Sequence, residues 1–316
     1  MEAGYSASPI TLSISAVERD TGLSKDTLRV WERRYGFPAP ARDAMGERSY
    51  PIDQVERLRT IKRLLDAGHR PGRIVAMAPV DLERLSNATG TPASVPDRAG
   101  GPHDSPDLAA CMAAIRQHDA EVLRQLMARA LSHLGLGRFV LGVVAPLNVQ
   151  VGEAWMHGRI AVFEEHLYTE SVQVVLRNAL HQLPVAATGR PRVLLATVPG
   201  EPHGLGLLMA ESMLALEGCR CTSLGVQTPL WDIVRAAAAL RSELVALSYT
   251  GCTNPNQIID GLTELRSKLP LDVALWAGGS APVLQRRRIE GVRVLPTLDG
   301  LAAAMADWHE RATGRQ

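Results

Sequence analysis

A carboxylate and a histidine stand two residues apart in the glycine-rich segment 201–206, which reads Glu-Pro-His-Gly-Leu-Gly. An apolar run at 193–198 predicts a buried strand before this segment, and the residues from Leu207 onward predict a helix after it. Open α/β sheets bind ligands at the carboxyl ends of their strands. The Glu201 carboxylate is placed to orient the His203 imidazole, as acidic neighbours do for metal-ligating histidines. On its own, however, a histidine on such a loop is most often an ordinary solvated residue.

The elements after the loop give the histidine a context. A helix, a strand and a further helix lead to the apolar strand 244–250, and a later strand ends in Gly278-Gly279. This order resembles the cobalamin-binding domain of methionine synthase and related proteins, with its Asp-x-His-x-x-Gly, Ser-x-Leu and Gly-Gly motifs. Glu201 replaces the commoner Asp and keeps the carboxylate, and Gly206 is the glycine of the first motif.

The resemblance implies a ligand set. His203 would be the lower axial ligand of cobalt, in place of the dimethylbenzimidazole of the cofactor. The nucleotide tail of the cofactor would enter a slot beside Ser248, Thr250, Gly278 and Gly279.

Composition excludes several classes of protein. The chain has 316 residues, 46% of them apolar, and a net charge of only +1, so any nucleic-acid surface must be local. We find no signal peptide and no apolar run of about 18 residues, which predicts a cytoplasmic protein without a membrane partner. The four cysteines, Cys111, Cys219, Cys221 and Cys252, lack zinc spacing and are expected to be free thiols.

The first 80 residues predict a helix, a tight turn and a second helix. Ser24 is a suitable N-cap for the second helix, and Leu28 and Trp31 have core spacing on it. A polar, glycine-bearing stretch that ends in Arg48-Ser49-Tyr50 is suited to a wing, and an amphipathic helix follows. An ordinary solvated helical domain would have a similar charge balance, so the placement of the basic residues decides the interpretation.

Residues 10–78 resemble the winged-helix DNA-binding domain of the MerR family. The resemblance rests on Thr-Leu-Arg-x-Trp-Glu-Arg-Arg-Tyr-Gly at 27–36, then Arg-Ser-Tyr, then Asp-Gln-Val-x-Arg-Leu. It implies that the second helix lies in the major groove of double-stranded operator DNA. The residues expected to contact DNA are Lys25, Thr27, Arg29, Arg33, Arg34, Arg48 and Tyr50.

The remaining composition divides the chain further. We predict a multidomain protein with an all-α winged helix-turn-helix head at 1–80. A flexible linker rich in Gly, Pro and Ser follows at 81–106, a four-helix bundle at 107–184, and a doubly wound, Rossmann-like α/β domain at 190–316.

The bundle contains a second group of residues that suggests a ligand. Trp155 ends one predicted helix, Gly158 breaks it, and Glu165-His166 open the next. A core tryptophan beside a solvated turn would give the same pattern. The spacing nevertheless resembles CarH/LitR-type regulators, which join a MerR-like head to a cobalamin module. By that resemblance Trp155, Glu165 and His166 line the upper face of the corrin near a 5′-deoxyadenosyl group.

The resemblance implies a light-sensing repressor that is not an enzyme. Adenosylcobalamin would bind in the dark and drive assembly of a homotetramer on operator DNA, and light would break the cobalt–carbon bond and release the DNA. The chain departs at one position. Known light-sensing members have a histidine directly after the bundle tryptophan, whereas here Met156 stands there and His157 follows. His157, the Met156 sulfur or water would then be the upper ligand after illumination.

Three alternatives remain open at this point. The first is a repressor that senses cobalamin without a light response. The second is an enzyme, a corrinoid methyl carrier or mutase subunit, although the chain has no region left for a substrate barrel. The third is a repressor that no longer requires its cofactor.

Overall fold

The computed structural model describes residues 11–43, 45–66, 69–88, 108–184 and 189–313. These residues form two compact units, and each is described by itself. The first contains residues 11–88 together with Glu153–Arg159, and the second contains residues 108–152 and 160–313.

The head is a helical domain with a small antiparallel sheet of order β1-β3-β2. Its elements are β1 (Thr11–Ser13), α1 (Ile14–Thr21), α2 (Lys25–Tyr35), β2 (Ala41–Arg42), β3 (Arg48–Pro51), α3 (Ile52–Asp66), α4 (Pro71–Ile74) and α5 (Pro79–Ala88). The predicted N-cap is present, since the Ser24 hydroxyl accepts a hydrogen bond from the Thr27 amide. The strands are an addition to the predicted all-α head, and β2 and β3 form the wing.

The head extends further than the sequence predicted. Residues 81–88 were expected to begin the linker but lie in α5, which packs against α3. Leu82 is buried in the core of the head and Leu85 packs against that core, so apolar burial continues past residue 80. The rest of the predicted linker, 89–106, lies outside the described residues.

The described residues between 108 and 184 contain four helices. They are α6 (Leu108–Arg116), α7 (Ala120–Phe139), α8 (Ala145–Met156) and α9 (Val162–Gln182), with a π-helical segment at Val140–Val144 between α7 and α8. One of these, α8, passes from the second unit into the first at Glu153. Contrary to the prediction that no apolar run reaches about 18 residues, the run Ala120–Met156 is long and apolar enough, by length and composition alone, to cross a membrane. Its α7 part packs against α9 and α10 and carries buried side chains such as Met127 and Phe139, as a core helix does.

Within residues 189–313 the α/β part has five parallel strands in the order β5-β4-β6-β7-β8. Its elements are β4 (Arg192–Ala196), α10 (Leu205–Leu216), β5 (Arg220–Ser223), α11 (Leu230–Ala239), β6 (Leu244–Tyr249), α12 (Pro255–Lys268), β7 (Ala274–Gly279), α13 (Pro282–Arg286), β8 (Val292–Leu295) and α14 (Gly300–Thr313). This is the flavodoxin-like strand order, whose direction reverses between the first and third strands. The prediction of a doubly wound sheet is confirmed, and ligands are expected at the β4/β6 switch point.

Candidate functional site

The predicted histidine loop lies at the switch point. It leaves the carboxyl end of β4 and enters α10, while Thr250 directly follows the adjacent strand β6. Parallel strands bring these two ends together, so residues 47 or more positions apart in sequence become neighbours. The fold therefore builds one polar cluster from the β4–α10 loop and the end of β6.

The Glu201 carboxylate is the centre of this cluster and is fully buried. Its Oε1 accepts hydrogen bonds from His203 Nδ1 at 2.8 Å and from the His203 amide at 3.1 Å. Its Oε2 accepts from the Thr250 amide at 2.6 Å and from the Thr250 hydroxyl at 2.8 Å. These donors outweigh the cost of burial and lower the pKa of Glu201, so the carboxylate is charged.

The imidazole of His203 has its two nitrogens in different surroundings. Nδ1 is held by Glu201, with the Thr250 hydroxyl 3.3 Å away, whereas the side chain as a whole is 51% exposed. The neighbouring Cys252 thiol and the Glu201 carboxylate raise the pKa of His203 to about 10. With Nδ1 fixed by Glu201, Nε2 is the nitrogen left for a metal, and it would bind the metal on releasing the proton that this raised pKa keeps on it.

Small residues lie beside the histidine. Ser248 on β6 pairs in register with Gly278 on β7, and Tyr249 with Gly279. A Cβ added to Gly206 would lie 3.0 Å from the Ser248 hydroxyl oxygen, so α10 approaches β6 closely here and a larger residue would crowd the Ser248 side chain. The structure thus brings together Glu201, His203, Gly206, Ser248 and Thr250, with Gly278 in the adjacent strand.

Thr253 belongs to the cluster but was not predicted. It is buried, and its hydroxyl lies 3.4 Å from both the Gly200 carbonyl oxygen and Glu201 Oε2. No local sequence pattern indicated this contact, because it joins residues 52 positions apart. Thr250 had been predicted as part of the slot for the nucleotide tail. Its hydrogen bonds to Glu201 were not predicted.

The helical residues predicted for the upper face have well-defined local surroundings. Within α9, Glu165 Oε1 accepts from the Thr169 hydroxyl at 2.7 Å, and Oε2 lies 2.6 Å from His166 Nδ1. The His166 side chain is 70% exposed. Trp155 belongs to the first compact unit, where the Arg63 guanidinium lies 5.6 Å from its ring centre.

The turn after Trp155 restricts the candidate upper ligand. α8 ends at Met156, and Gly158 has a φ of +66°, as the sequence predicted for a helix break. His157 Nδ1 donates to the Glu153 carbonyl oxygen at 2.6 Å, so only its Nε2 is available to another group. Met156 is 41% exposed.

The head presents the predicted basic side chains in two ways. Arg33 and Arg34 are exposed on α2. Three others pair with nearby carboxylates: Lys25 with Glu18 at 3.7 Å, Arg29 with Asp26 at 3.2 Å and Arg48 with Glu32 at 2.8 Å. The Thr27 hydroxyl lies 2.8 Å from that of Ser24. The recognition helix thus carries two exposed arginines and two cations oriented by acids, and the wing carries a third such cation, Arg48.

Tyr50 differs from the other predicted DNA contacts. Its side chain is fully buried in the core of the head, and its hydroxyl has no hydrogen-bond partner among the described residues. Burial also raises the pKa of the hydroxyl. In this structure Tyr50 is a core residue of the wing strand β3 and not a surface group.

Models of known families match three segments of the chain. Residues 12–79 match the MerR HTH family of regulatory proteins, and residues 108–179 and 191–303 each match a B12 binding domain. The fold and the site thus define a helix-turn-helix DNA-binding protein that carries a B12-binding module.

Two relatives span most of the chain. It is 34% identical to the HTH-type transcriptional repressor CarH of Myxococcus xanthus over 273 residues. That alignment covers 86% of this chain and 89% of the relative. It is 28% identical over 277 residues to the HTH-type transcriptional repressor CarA of the same organism, which covers 86% and 88%. The chain belongs to the CarH family of MerR-type transcriptional repressors, which confirms the resemblance drawn from its motifs.

A solved structure shares the fold of the second unit. The monomethylamine corrinoid protein of Methanosarcina barkeri matches 62% of this chain and 95% of its own, with a TM-score of 0.51 and 16% sequence identity. At that identity the likeness concerns the fold alone.

The residues at the switch point fit a cobalamin. No group of three His, Cys, Asp or Glu side chains within the described ranges is arranged to hold a bare metal ion. A corrin would hold its own cobalt, so the protein would need to supply only one ligand to the metal. A single exposed imidazole whose other nitrogen is fixed by a buried carboxylate, next to strand ends of Ser and Gly, meets that need.

Proposed function

We propose that this protein is a cobalamin-dependent transcriptional repressor that takes up adenosylcobalamin in the dark and responds to light. The observation that carries the proposal is the His203–Glu201–Thr250 cluster, which holds Nδ1 of a half-exposed imidazole at the sheet's switch point. Bound adenosylcobalamin supplies a cobalt–carbon bond that visible light breaks. A MerR-type head on the same chain supports operator DNA as the second ligand, and therefore the cytoplasm as the site of action.

The chain's own residues have separate tasks in this proposal. His203 holds the lower face of the cofactor, Glu201 fixes the imidazole, and the slot beside Ser248 and Gly278 receives the nucleotide tail. By family resemblance Trp155, Glu165 and His166 are assigned to the upper face. A cofactor that binds one conformation of the protein more tightly shifts the population toward that conformation.

Assembly would convert cofactor binding into repression. Each head presents one recognition helix with a few basic side chains, which gives weak binding alone. Linking several heads in a homotetramer raises the affinity for a repeated operator without new contacts. A cofactor that binds the assembled form more tightly stabilises that form by mass action.

The test uses the full chain and a DNA fragment from upstream of its own gene. Protein purified in darkness with adenosylcobalamin should be red, should show a several-fold higher mass in solution than the cofactor-free protein, and should retard the DNA. Green light should lower the mass and release the DNA. The proposal would be refuted by a dark sample that binds no corrinoid. It would also be refuted if neither the mass in solution nor the DNA binding changed with cofactor or light.

A second candidate is a repressor that senses cobalamin without a light response. It is favoured by the turn after Trp155, where Met156 takes the place of the expected histidine and His157 Nδ1 is engaged by a carbonyl oxygen. Methylcobalamin and adenosylcobalamin would then both promote DNA binding, and illumination would leave the retarded band unchanged. Identical spectra of illuminated wild type and His157→Ala would show that His157 is not the new upper ligand.

The enzyme alternative has less support. Both full-length relatives are transcriptional repressors, and the head occupies the residues outside the helical and α/β parts. A corrinoid carrier would need a methyl donor or a mutase partner, and turnover of cobalt-bound methyl groups with such a partner would contradict the repressor proposal.

A further inference from the structure

A buried carboxylate, Glu164, joins the start of α9 to a distant turn. Its Oε2 accepts a hydrogen bond from the Ala161 amide at 2.6 Å, and its Oε1 lies 3.2 Å from His118 Nε2. Glu164 is the third residue of α9. An acid at that position that reaches back to the amide before the helix satisfies a donor that the helix leaves unpaired. The contact with His118, which lies 46 residues earlier in the sequence, is not part of such a cap.

The turn that holds His118 is itself tightly fixed. His118 has a φ of +59°, its amide donates to the Ile115 carbonyl oxygen at 3.0 Å, and the next residue, Asp119, caps α7 through the Val122 amide. The His118 ring also packs against Phe163, with ring centres 5.0 Å apart. His118 therefore contacts two successive residues of the first turn of α9 from a rigid support.

The same turn of α9 carries the next two residues, Glu165 and His166. Both oxygens of the Glu165 carboxylate are engaged locally, one by Thr169 and one by His166. The pair is thus rigid relative to α9, and its direction in space is set by the direction of the first turn. The contacts of Glu164 and Phe163 with His118 are among those that fix that turn to the rest of its unit.

We propose that Glu164, supported by His118, is a positioning residue that sets Glu165 and His166 against the upper substituent of the cofactor. This inference rests on the proposed function, which assigns Glu165 and His166 to the adenosyl side. Glu164 itself touches neither cofactor nor DNA in the proposal. A helix cap alone would stabilise α9 without discriminating between upper substituents, and that difference makes the two roles separable.

The experiment compares two corrinoids that differ only at the upper face. Dissociation constants of adenosylcobalamin and hydroxocobalamin are measured in darkness by absorbance for wild type and Glu164→Gln. We expect adenosylcobalamin to bind about ten-fold more weakly to the variant, which corresponds to about 1.4 kcal/mol, and hydroxocobalamin to bind within about two-fold of wild type. The matched control is Glu121→Gln, an exposed acid in the first turn of α7 that pairs with Arg124; it should change neither constant.

Two variants of His118 complete the test. His118→Ala should shift the ratio of the two dissociation constants in the same direction as Glu164→Gln. His118→Gln keeps an N–H donor at a similar reach, so its ratio should lie closer to that of wild type. Should Glu164→Gln fail to fold, the half-exposed His118 side chain carries the test alone.

Two results would overturn the positioning role and show that Glu164 is only a helix cap. One is equally weaker binding of both corrinoids by Glu164→Gln. The other is an unchanged ratio of the two dissociation constants in both Glu164→Gln and His118→Ala. A wild type that binds neither corrinoid would instead refute the proposed function. Wild-type hydroxocobalamin binding separates the two failures.

Discussion

Nδ1 of His203 lies 2.8 Å from Oε1 of Glu201, a carboxylate that is fully buried and that also accepts the amide and hydroxyl of Thr250. A buried charge is tolerated only where enough donors surround it. Here the donors come from both sides of the switch point, so the carboxylate links the histidine loop to the end of β6. The orientation of the imidazole is therefore a property of the sheet and not of the loop alone.

The first prediction concerns Glu201→Gln. The glutamine NH2 would face donors on at least one side, since every group around the native carboxylate donates to it. The His203 ring should lose its fixed orientation, and cobalamin affinity should fall about 10- to 100-fold, as for other lost partners of metal-ligating histidines. Absorbance titration in the dark measures this. Glu217→Gln, an exposed acid after α10, should bind normally, and an unchanged affinity in Glu201→Gln would contradict the orienting role.

The second prediction uses two glycines near the same strand ends. A Cβ on Gly279 would lie 2.0 Å from the Tyr249 carbonyl oxygen, and Gly279 has a φ of +110°. Gly279→Ala should lower the free energy of unfolding of the α/β domain by about 3 kcal/mol, because strain and overlap both act. At Gly251 a Cβ meets nothing within 4 Å, so Gly251→Ala should stay within about 0.5 kcal/mol of wild type. Urea unfolding tests the pair, and equal midpoints would contradict the steric argument.

The sequence predicted the parts of the site that depend on local order. A glycine-rich loop between a buried strand and a helix sufficed to place Glu201 and His203 at a sheet edge, because the carboxyl ends of parallel strands share that edge. The same holds for the Ser24 cap and the Gly158 break, where one residue type has a strong backbone preference.

What the sequence could not predict depends on contacts between distant residues. The Thr253 contact with Glu201 and the His118 contact with Glu164 join residues 52 and 46 positions apart, with no periodic or spacing signal. Tyr50 shows the opposite error. It was predicted as a DNA contact from the motif Arg-Ser-Tyr, but its burial depends on how β3 packs against the rest of the head, which no local pattern shows.

The third prediction concerns Glu211 on α10. Burial raises the pKa of this carboxyl, while Arg177 and His181 of α9 partly oppose the shift, and the Cys221 thiol lies close enough to interact with it. A raised pKa in the folded state means that folding is favoured when the group is protonated. This contribution is complete below the ordinary pKa of 4.5 and is lost as pH rises through the raised value.

Glu211→Gln removes that titration. The variant should match wild type in melting temperature near pH 4 and exceed it at pH 7. At pH 7 the wild-type carboxylate is charged at a half-buried position, and the neutral amide avoids that cost. Glu217→Gln again serves as the exposed control. A variant that is less stable than wild type at pH 7 would show that the carboxylate is ionised and favourably paired with Arg177 or His181.

The fourth prediction separates DNA contacts from core residues in the head. Arg33 is exposed on the recognition helix. Loss of one phosphate contact should weaken binding to specific and unrelated DNA alike and should lower the slope of log affinity against log salt concentration by about 1. Arg33→Ala is compared with wild type by fluorescence anisotropy at several salt concentrations.

Tyr50→Phe is the matched comparison, because the sequence had predicted both residues as DNA contacts. Its hydroxyl is buried without a partner among the described residues, so removing it should leave the free energy of unfolding unchanged or raise it by about 1 kcal/mol. DNA affinity and salt slope should equal those of wild type. A loss of affinity in Tyr50→Phe with unchanged stability would mean that β3 turns its tyrosine outward when DNA binds, and an unchanged slope in Arg33→Ala would remove that arginine from the interface.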